Sequence, residues 1–150
     1  MKTLLATGLM FLGFIGSMAA QKMNNQKLGK IIYDVADSVE GQPGYWQFKY
    51  RERFLLAITD EKNNRMRIIC PVIEEKDLTE TLLKNSLKAN FHTALDVKYA
   101  LSEEILWSIF VHPLKELSAS QVEDAIQQVY HAALSFGTTY SSTDLIFPKN

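Results

Sequence analysis

Apolar residues recur along this chain with two different spacings, and the order in which those spacings alternate limits the folds available to it. A spacing near 3.6 residues predicts an amphipathic helix, and strict alternation predicts a strand with one buried face. Helical spacing covers residues 25–39, 77–90 and 117–137, and strand patterns cover residues 45–50, 54–59, 65–72, 93–101 and 105–112. The predicted order is α-β-β-β-α-β-β-α, which indicates an α+β domain: an antiparallel sheet with helices packed on it.

Residues with capping chemistry mark the ends of the predicted helices. Residues 77–80 (DLTE) fit a capping box in which Asp77 caps the second helix. Ser118 with Gln121, overlapped by a second serine-glutamate pair, fits the same motif at the start of the last helix. The residues predicted to end the three helices are Gly41, Asn90 and Gly137.

The strand patterns also predict which side chains share a face of the sheet. Alternation over residues 65–72 places Cys70 on the apolar face and places Arg65 and Arg67 on the opposite face. Residues 105–112 are nearly all apolar, which is typical of a strand covered on both faces. We therefore expect this strand in the interior of the domain.

The first twenty residues have the three-part layout of a secretory signal peptide. Lys2 supplies a positive start, an uncharged apolar stretch follows, and the small residues Ser17, Ala19 and Ala20 end it. We expect cleavage after Ala19 or Ala20, which leaves a single exported domain, periplasmic or secreted, of residues 21–150. The alternative is a retained membrane anchor, because about 17 to 25 apolar residues can span hydrocarbon.

Composition excludes several classes of protein. The chain has 150 residues, 47% of them apolar, with 16 basic and 17 acidic side chains and a net charge of −1. Near neutrality argues against a nucleic-acid partner, and 22% charged with 11% aromatic residues argues against disorder. Cys70 is the single cysteine, so the chain has neither an internal disulfide nor a multi-cysteine zinc site.

Nothing in the sequence points to catalysis. His92, His112 and His131 lack the spacing of metal ligands, and no HExxH, GxSxG, P-loop or GxGxxG motif is present. Cys70 falls on the apolar side of its strand, where a thiol behaves as a small hydrophobic group. We predict a non-enzymatic protein with no catalytic residues, no cofactor and no metal site.

Two groups of side chains are instead candidates for binding a partner. The basic candidates, predicted to share the polar side of the sheet, are Lys49, Arg65, Arg67 and Lys98. Aligned basic groups can hold a carboxylate or phosphate, although a solvated sheet face is the simpler interpretation. Trp46 and Trp107 are the aromatic candidates for a protein-binding or self-association surface, with a place in the core as the simpler interpretation.

Four segments, combined with the order of elements, carry a resemblance to a known superfamily. The segments are residues 67–72 (RIICPV), 82–90, 94–101 (ALDVKYAL) and 114–129. Over about residues 28–136 the chain resembles the type III secretion chaperone-like superfamily of bacteria, which includes the CesT-type chaperones and the YbjN-type proteins. The resemblance implies a small α+β domain that often dimerises and, in the chaperones, holds partly unfolded protein segments on apolar surfaces. It implies no catalytic residues.

These observations lead to one principal hypothesis and two alternatives. The principal hypothesis is an exported, non-enzymatic, homodimeric module that binds a protein or peptide segment. The first alternative is a periplasmic or secreted carrier or sensor, with a small ligand held between sheet and helices by Trp46, Phe48, Tyr99 and Trp107. The second is an enzyme whose site brings a distant histidine beside a carboxylate.

Overall fold

The computed structural model describes residues 22–144, which fold into three α-helices and six strands, with one turn of 3-10 helix at Glu75–Asp77. In chain order these are α1 (Asn25–Val35), β1 (Ser38–Gln42), β2 (Tyr45–Tyr50), β3 (Arg53–Asp60), β4 (Arg65–Glu74), α2 (Glu80–His92), β5 (Lys98–Ser102), β6 (Ile105–His112) and α3 (Ala119–Ser135). The α+β class and the order of elements are confirmed, with one additional strand, β1. The predicted signal peptide and its anchor alternative lie outside the described residues. No helix between residues 22 and 144 is long and apolar enough to cross a membrane.

The first helix is shorter than predicted, because part of its predicted length joins the sheet. Asn24 caps α1 by accepting a hydrogen bond at 2.9 Å from a backbone amide of the first turn. The helix ends at Val35, and Val39 instead pairs with Phe48 of β2. The sequence predicted that Gly41 ends this helix, and that prediction is wrong. Gly41 lies in the β1–β2 hairpin with a φ of +122°.

All six strands form one antiparallel sheet in the order β1-β2-β3-β4-β6-β5. The first four strands follow one another through hairpins, and α2 then carries the chain to the far edge, where β5 and β6 form the last hairpin. The return of β6 beside β4 places these two strands in the middle. Ile69 of β4 therefore pairs with Leu56 of β3 on one side and with Ile109 of β6 on the other.

One face of the sheet, the inner face, packs against α1 and α3 and forms the hydrophobic core. Its buried residues are Trp46, Phe48, Leu55, Ala57, Met66, Ile68, Cys70, Tyr99, Leu106 and Phe110. The helices add Leu28, Ile32, Val122, Ile126 and Val129. Gly29 lets α1 approach closely, because a Cβ at this position would lie 3.3 Å from the Trp46 ring.

The last helix begins and ends as the sequence predicts. Ser118 and Gln121 form the capping box, each side chain accepting the other's amide hydrogen, at 3.2 and 2.9 Å. Gly137 follows the last turn with a φ of +81°. Tyr99 and Ser108 donate their hydroxyl hydrogens to backbone carbonyls of α3 at 2.7 and 2.8 Å, which fixes the helix over the centre of the sheet.

The second helix departs from the prediction at both ends. Thr79, not Asp77, caps it by accepting a hydrogen bond from a first-turn amide at 3.2 Å. Asn90 does not end the helix; its side-chain amide donates to the Tyr99 carbonyl at 3.1 Å and accepts from the Tyr99 amide at 2.7 Å. The strand begins only at Lys98, and the Asn90 side chain satisfies the backbone of this edge strand.

Candidate functional site

The three helices leave the opposite face of the sheet, the outer face, open. Directly paired residues of antiparallel strands point to the same face, so the register identifies the side chains that lie there. The apolar ones on the central strands include Phe54, Leu56, Ile58, Ile69, Trp107, Ile109 and Val111. Phe54 is 54% exposed, Val111 is 58% exposed, and the other five are half-buried. The middle of the outer face is therefore a continuous apolar surface.

The prediction that residues 105–112 form a strand covered on both faces is wrong. Burial alternates along β6: Leu106, Ser108 and Phe110 are buried on the inner face, whereas Trp107 and Ile109 on the outer face stay partly accessible. The strand is apolar on both sides, yet residues 22–144 cover only one of them. Contiguous uncovered apolar surface of this kind marks interaction sites in soluble proteins.

Four basic side chains border this apolar surface. Lys49 lies opposite Phe54 at the β2 side, and Lys98 lies opposite Ile109 at the β5 side. Arg65 and Arg67 lie on β4, on the same face. The predicted basic candidates thus share one side of the sheet, as their alternation indicates.

None of these four side chains forms an ion pair within residues 22–144, where the two ion pairs present involve other residues. Arg65 lies opposite Asp60, but the Asp60 carboxylate accepts hydrogen bonds from the Asn63 backbone at 2.9 Å and from its side chain at 2.6 Å. Those two hydrogen bonds, the backbone bond first, lower the pKa of Asp60. Arg65 donates instead to the Asn64 carbonyl, at 3.1 Å. Among the described residues, these four cations of the outer face therefore have no ion pair, although Asp60 lies on the same face.

The two tryptophans predicted as partner-binding residues lie on opposite faces. Trp107 is on the outer face, half-buried, with its indole N–H donated to the Ser102 carbonyl at 3.1 Å. The prediction that Trp46 binds a partner is wrong, because this side chain is only 2% exposed and packs against Gly29 of α1. A side chain enclosed in the core cannot contact a partner, so Trp46 does not belong to this surface.

Cys70 is buried on the inner face, where the sequence places it. Burial raises the pKa of its thiol to about 11. A nucleophilic cysteine requires the thiolate. At neutral pH this side chain is a neutral thiol and acts as part of the core.

The three histidines lie apart in the fold. His92 is exposed on α2, and His112 and His131 line two separate clefts of about 420 and 540 Å³, each of which also contains Asp124. Within residues 22–144 no histidine hydrogen-bonds to a carboxylate; His112 Nδ1 contacts the Pro113 carbonyl at 2.8 Å. In the same part of the chain, no three His, Cys, Asp or Glu side chains converge to hold a metal ion.

The four residues expected to hold a small ligand between sheet and helices do not line a common cavity. Trp46 and Phe48 are packed in the core, and Tyr99 is buried with its hydroxyl on α3. Trp107 faces away from all three. The geometry proposed for the small-ligand alternative is therefore not formed.

A second apolar surface, on α2, was not expected to be exposed. Leu83, Leu87 and Phe91 recur every four residues and so share one side of the helix. The helical spacing of residues 77–90 predicts a buried stripe of Leu78, Leu82, Leu83 and Leu87. In the structure, however, Leu87 is 60% exposed and Phe91 is 86% exposed. The buried side of α2 instead carries Ser86 and Ala89.

Two solved chains from chaperone–effector complexes share this arrangement of strands and helices, so the fold is type III secretion chaperone-like. One chain of the HopA1–SchA chaperone–effector complex matches with a TM-score of 0.55 and 17% identity, covering 75% of this chain and 94% of that one. One chain of the ExsC–ExsE complex matches with a TM-score of 0.57 and 12% identity, covering 74% and 92%. No protein-family model matches the sequence. No curated protein matches it either.

Proposed function

We propose that this protein is a non-enzymatic module that binds a protein or peptide segment on the outer face of its sheet. The observation that carries the proposal is the uncovered apolar surface formed by Leu56, Ile69, Ile109 and their neighbours. Removing apolar surface from water against a partner contributes a favourable free energy of about 25 cal/mol for each Å² buried. The similar solved chain from a chaperone–effector complex supports a protein as the partner.

The shape and chemistry of the surface favour a polypeptide over a small molecule. Sites for small ligands are concave and enclose most of the ligand, whereas the outer face is an open sheet surface. Protein interfaces combine an apolar centre with a polar rim. Here Ile69 and Ile109 lie at the centre, and Lys49 and Lys98 lie toward the two sides.

Site-specific photo-crosslinking in the native cell tests the proposal. A photoreactive phenylalanine analogue at Val111 on the outer face should crosslink a protein partner, identified by mass spectrometry. The same analogue at Tyr33, which is 60% exposed on α1, is the matched control and should not capture that partner. The variant Ile109→Asp should abolish the crosslink from Val111. Equal capture from both positions would contradict a site on the outer face.

We further propose that the protein is a homodimer assembled through α2. Leu87 and Phe91 expose more apolar surface than a helix in water normally retains. A two-fold axis through this helix would bury both residues of each copy at once, because a symmetric interface uses the same surface twice.

We also propose that the protein is exported after cleavage at Ala19 or Ala20. Support comes from the charge pattern and the small residues of the first twenty positions. Mass spectrometry of the protein from separated cell fractions tests this. A periplasmic or secreted form beginning at Ala20 or Gln21 is expected. An uncleaved form in the membrane would indicate the anchor, and an uncleaved form in the cytoplasm would contradict export.

A further inference from the structure

We infer that the segment bound on the outer face is acidic and apolar, with carboxylate side chains placed among large hydrophobic ones. The inference rests on the proposed function and specifies the chemistry of the partner. It depends on two features of the surface: a depression lined by apolar side chains and two arginines, and basic groups that form no ion pair among the described residues.

The depression lies where β3, β4 and β6 meet and has a volume of about 150 Å³. Ile58 and Val111 supply its apolar wall, and Arg65 and Arg67 lie along the same wall. Asp60 also lines the depression, but its carboxylate accepts hydrogen bonds from Asn63, so it leaves the two guanidinium groups without an ion pair. An apolar side chain of a partner could insert into this depression and be removed from water there. A carboxylate on a neighbouring residue of the partner would then lie beside the guanidinium groups.

The basic groups decide the charge of the partner. Within residues 22–144, neither Lys49 nor Arg67 has an ion-pair or hydrogen-bond partner for its side chain. A partner that covers the apolar centre partly removes these cations from water, which is unfavourable unless an anion pairs with them. Carboxylates fit this need, because they accept two parallel hydrogen bonds from one guanidinium.

A basic segment would be repelled by the cations of the outer face. Lysine or arginine side chains on the partner would place like charges beside Arg65 and Arg67, which disfavours binding and slows association. An acidic segment without apolar residues would also bind poorly, because exposed ion pairs contribute only about 0 to 1 kcal/mol each. Both properties are therefore required together.

Methyl NMR on the protein expressed from its full sequence tests the inference, with isotope labels on the isoleucine δ1 methyl groups. The outer-face reporters are Ile58, Ile69 and Ile109, and the inner-face controls are Ile32, Ile68 and Ile126. The probes are synthetic peptides of equal length: alternating leucine and glutamate, alternating leucine and lysine, and alternating serine and glutamate. The leucine–glutamate peptide should shift the outer-face signals, leave the controls unchanged, and bind about tenfold more tightly than either other peptide.

Charge-reversal variants identify the groups responsible. Arg65→Glu with Arg67→Glu should weaken binding of the leucine–glutamate peptide about tenfold, while unchanged inner-face signals show that the fold is intact. Lys30→Glu with Lys88→Glu changes the net charge equally, but these exposed residues lie on α1 and α2, and the double variant should weaken binding less than about twofold.

The outcomes separate the two proposals. If the leucine–lysine peptide shifts the same outer-face signals with equal affinity, the acidic partner is refuted and the binding surface remains. If neither leucine-containing peptide shifts them, the result counts against both the acidic partner and the outer face as a binding surface. Equal loss of binding in the two double variants would also refute a specific role for Arg65 and Arg67.

Discussion

Single glycines control the β1–β2 hairpin, whose first strand the sequence did not predict. Gly41 and Gly44 have φ values of +122° and +106°, a region that L-residues with a Cβ rarely adopt. A Cβ on Gly41 would also lie 2.3 Å from the Tyr45 carbonyl oxygen, whereas a Cβ on Gly44 would have no neighbour within 4 Å. A side chain at either position would strain the backbone, but only at Gly41 would its Cβ also collide with a neighbouring atom.

We expect Gly41→Ala to lower the free energy of unfolding by about 2 kcal/mol more than Gly44→Ala. Both variants suffer the strain of a positive φ, and the difference between them measures the collision with Tyr45. Urea unfolding followed by circular dichroism provides both values. Equal destabilisation of the two variants would mean that the hairpin relaxes around the added methyl group.

The Cys70 thiol makes stability dependent on alkaline pH. Burial raises its pKa from 9.0 to about 11, so the folded state holds the proton more strongly than the unfolded state does. Its stabilisation is fully present below pH 9 and is lost as the pH rises toward 11. We expect the free energy of unfolding to fall by about 2 kcal/mol over that interval from this group.

The variant Cys70→Ala isolates this contribution, because it lacks the titrating group whatever its own stability. Its free energy of unfolding should fall less steeply between pH 9 and 11 than that of the unchanged protein. Burial also raises the pKa of Tyr99, to about 12, and this residue titrates alike in both proteins. Parallel pH profiles would show that Cys70 does not cause the loss.

At the scale of whole elements, the sequence predicted well those features that each strand or helix determines alone. Alternation assigned Phe48 and Ile68 to the core, and Ser118 began the last helix as expected. The prediction failed for β1. Val39 continues the helical spacing from Val35, yet in the structure it pairs with Phe48 of the strand that follows in the chain. A pairing between distant residues overrides a local period.

The candidate site was predictable only in part, for a related reason. The side shared by Arg65 and Arg67 follows from alternation within one strand. Whether Ile109 is covered depends on where the helices pack. Because β6 is apolar on both faces, its own sequence does not show which face the helices cover. Trp46 lies two residues before Phe48, so alternation places both side chains on one face, and its place in the core, the simpler interpretation, is the one observed.

The β5–β6 turn is an element whose residues do not suit its backbone. Glu103 and Glu104 connect the two strands with φ values of +51° and +60°. Two-residue turns with both φ values positive strongly favour Asn-Gly. We expect Glu103→Asn with Glu104→Gly to raise the free energy of unfolding by about 1 kcal/mol, measured by urea unfolding.

The matched control is Glu103→Ala with Glu104→Ala. It removes the same two carboxylates, of which Glu104 lies near Glu74 and Glu75, but keeps side chains that disfavour positive φ. Little or no stabilisation is expected from it. A gain equal to that of the Asn-Gly variant would assign the effect to charge repulsion instead of backbone strain.

At the scale of the whole molecule, the two apolar surfaces lie on different elements and so can serve different contacts. The outer face belongs to the central strands, whereas Leu87 and Phe91 lie on α2, which packs beside the edge strand β5. A change on one surface should leave the other intact. Loss of partner binding and loss of dimerisation are therefore separable by mutation.

Replacement of Leu87 and Phe91 by glutamate should convert the protein to a monomer in size-exclusion chromatography with light scattering. Each copy would bring two charges into a symmetric interface, so four uncompensated carboxylates would have to leave water together. Tyr33→Glu changes an equally exposed residue, 60% accessible on α1, and should leave the dimer unchanged. In the double variant, the crosslink from Val111 to the partner should persist. A dimer that survives both glutamates would place its interface elsewhere, and a crosslink lost together with the dimer would mean that partner binding requires both copies.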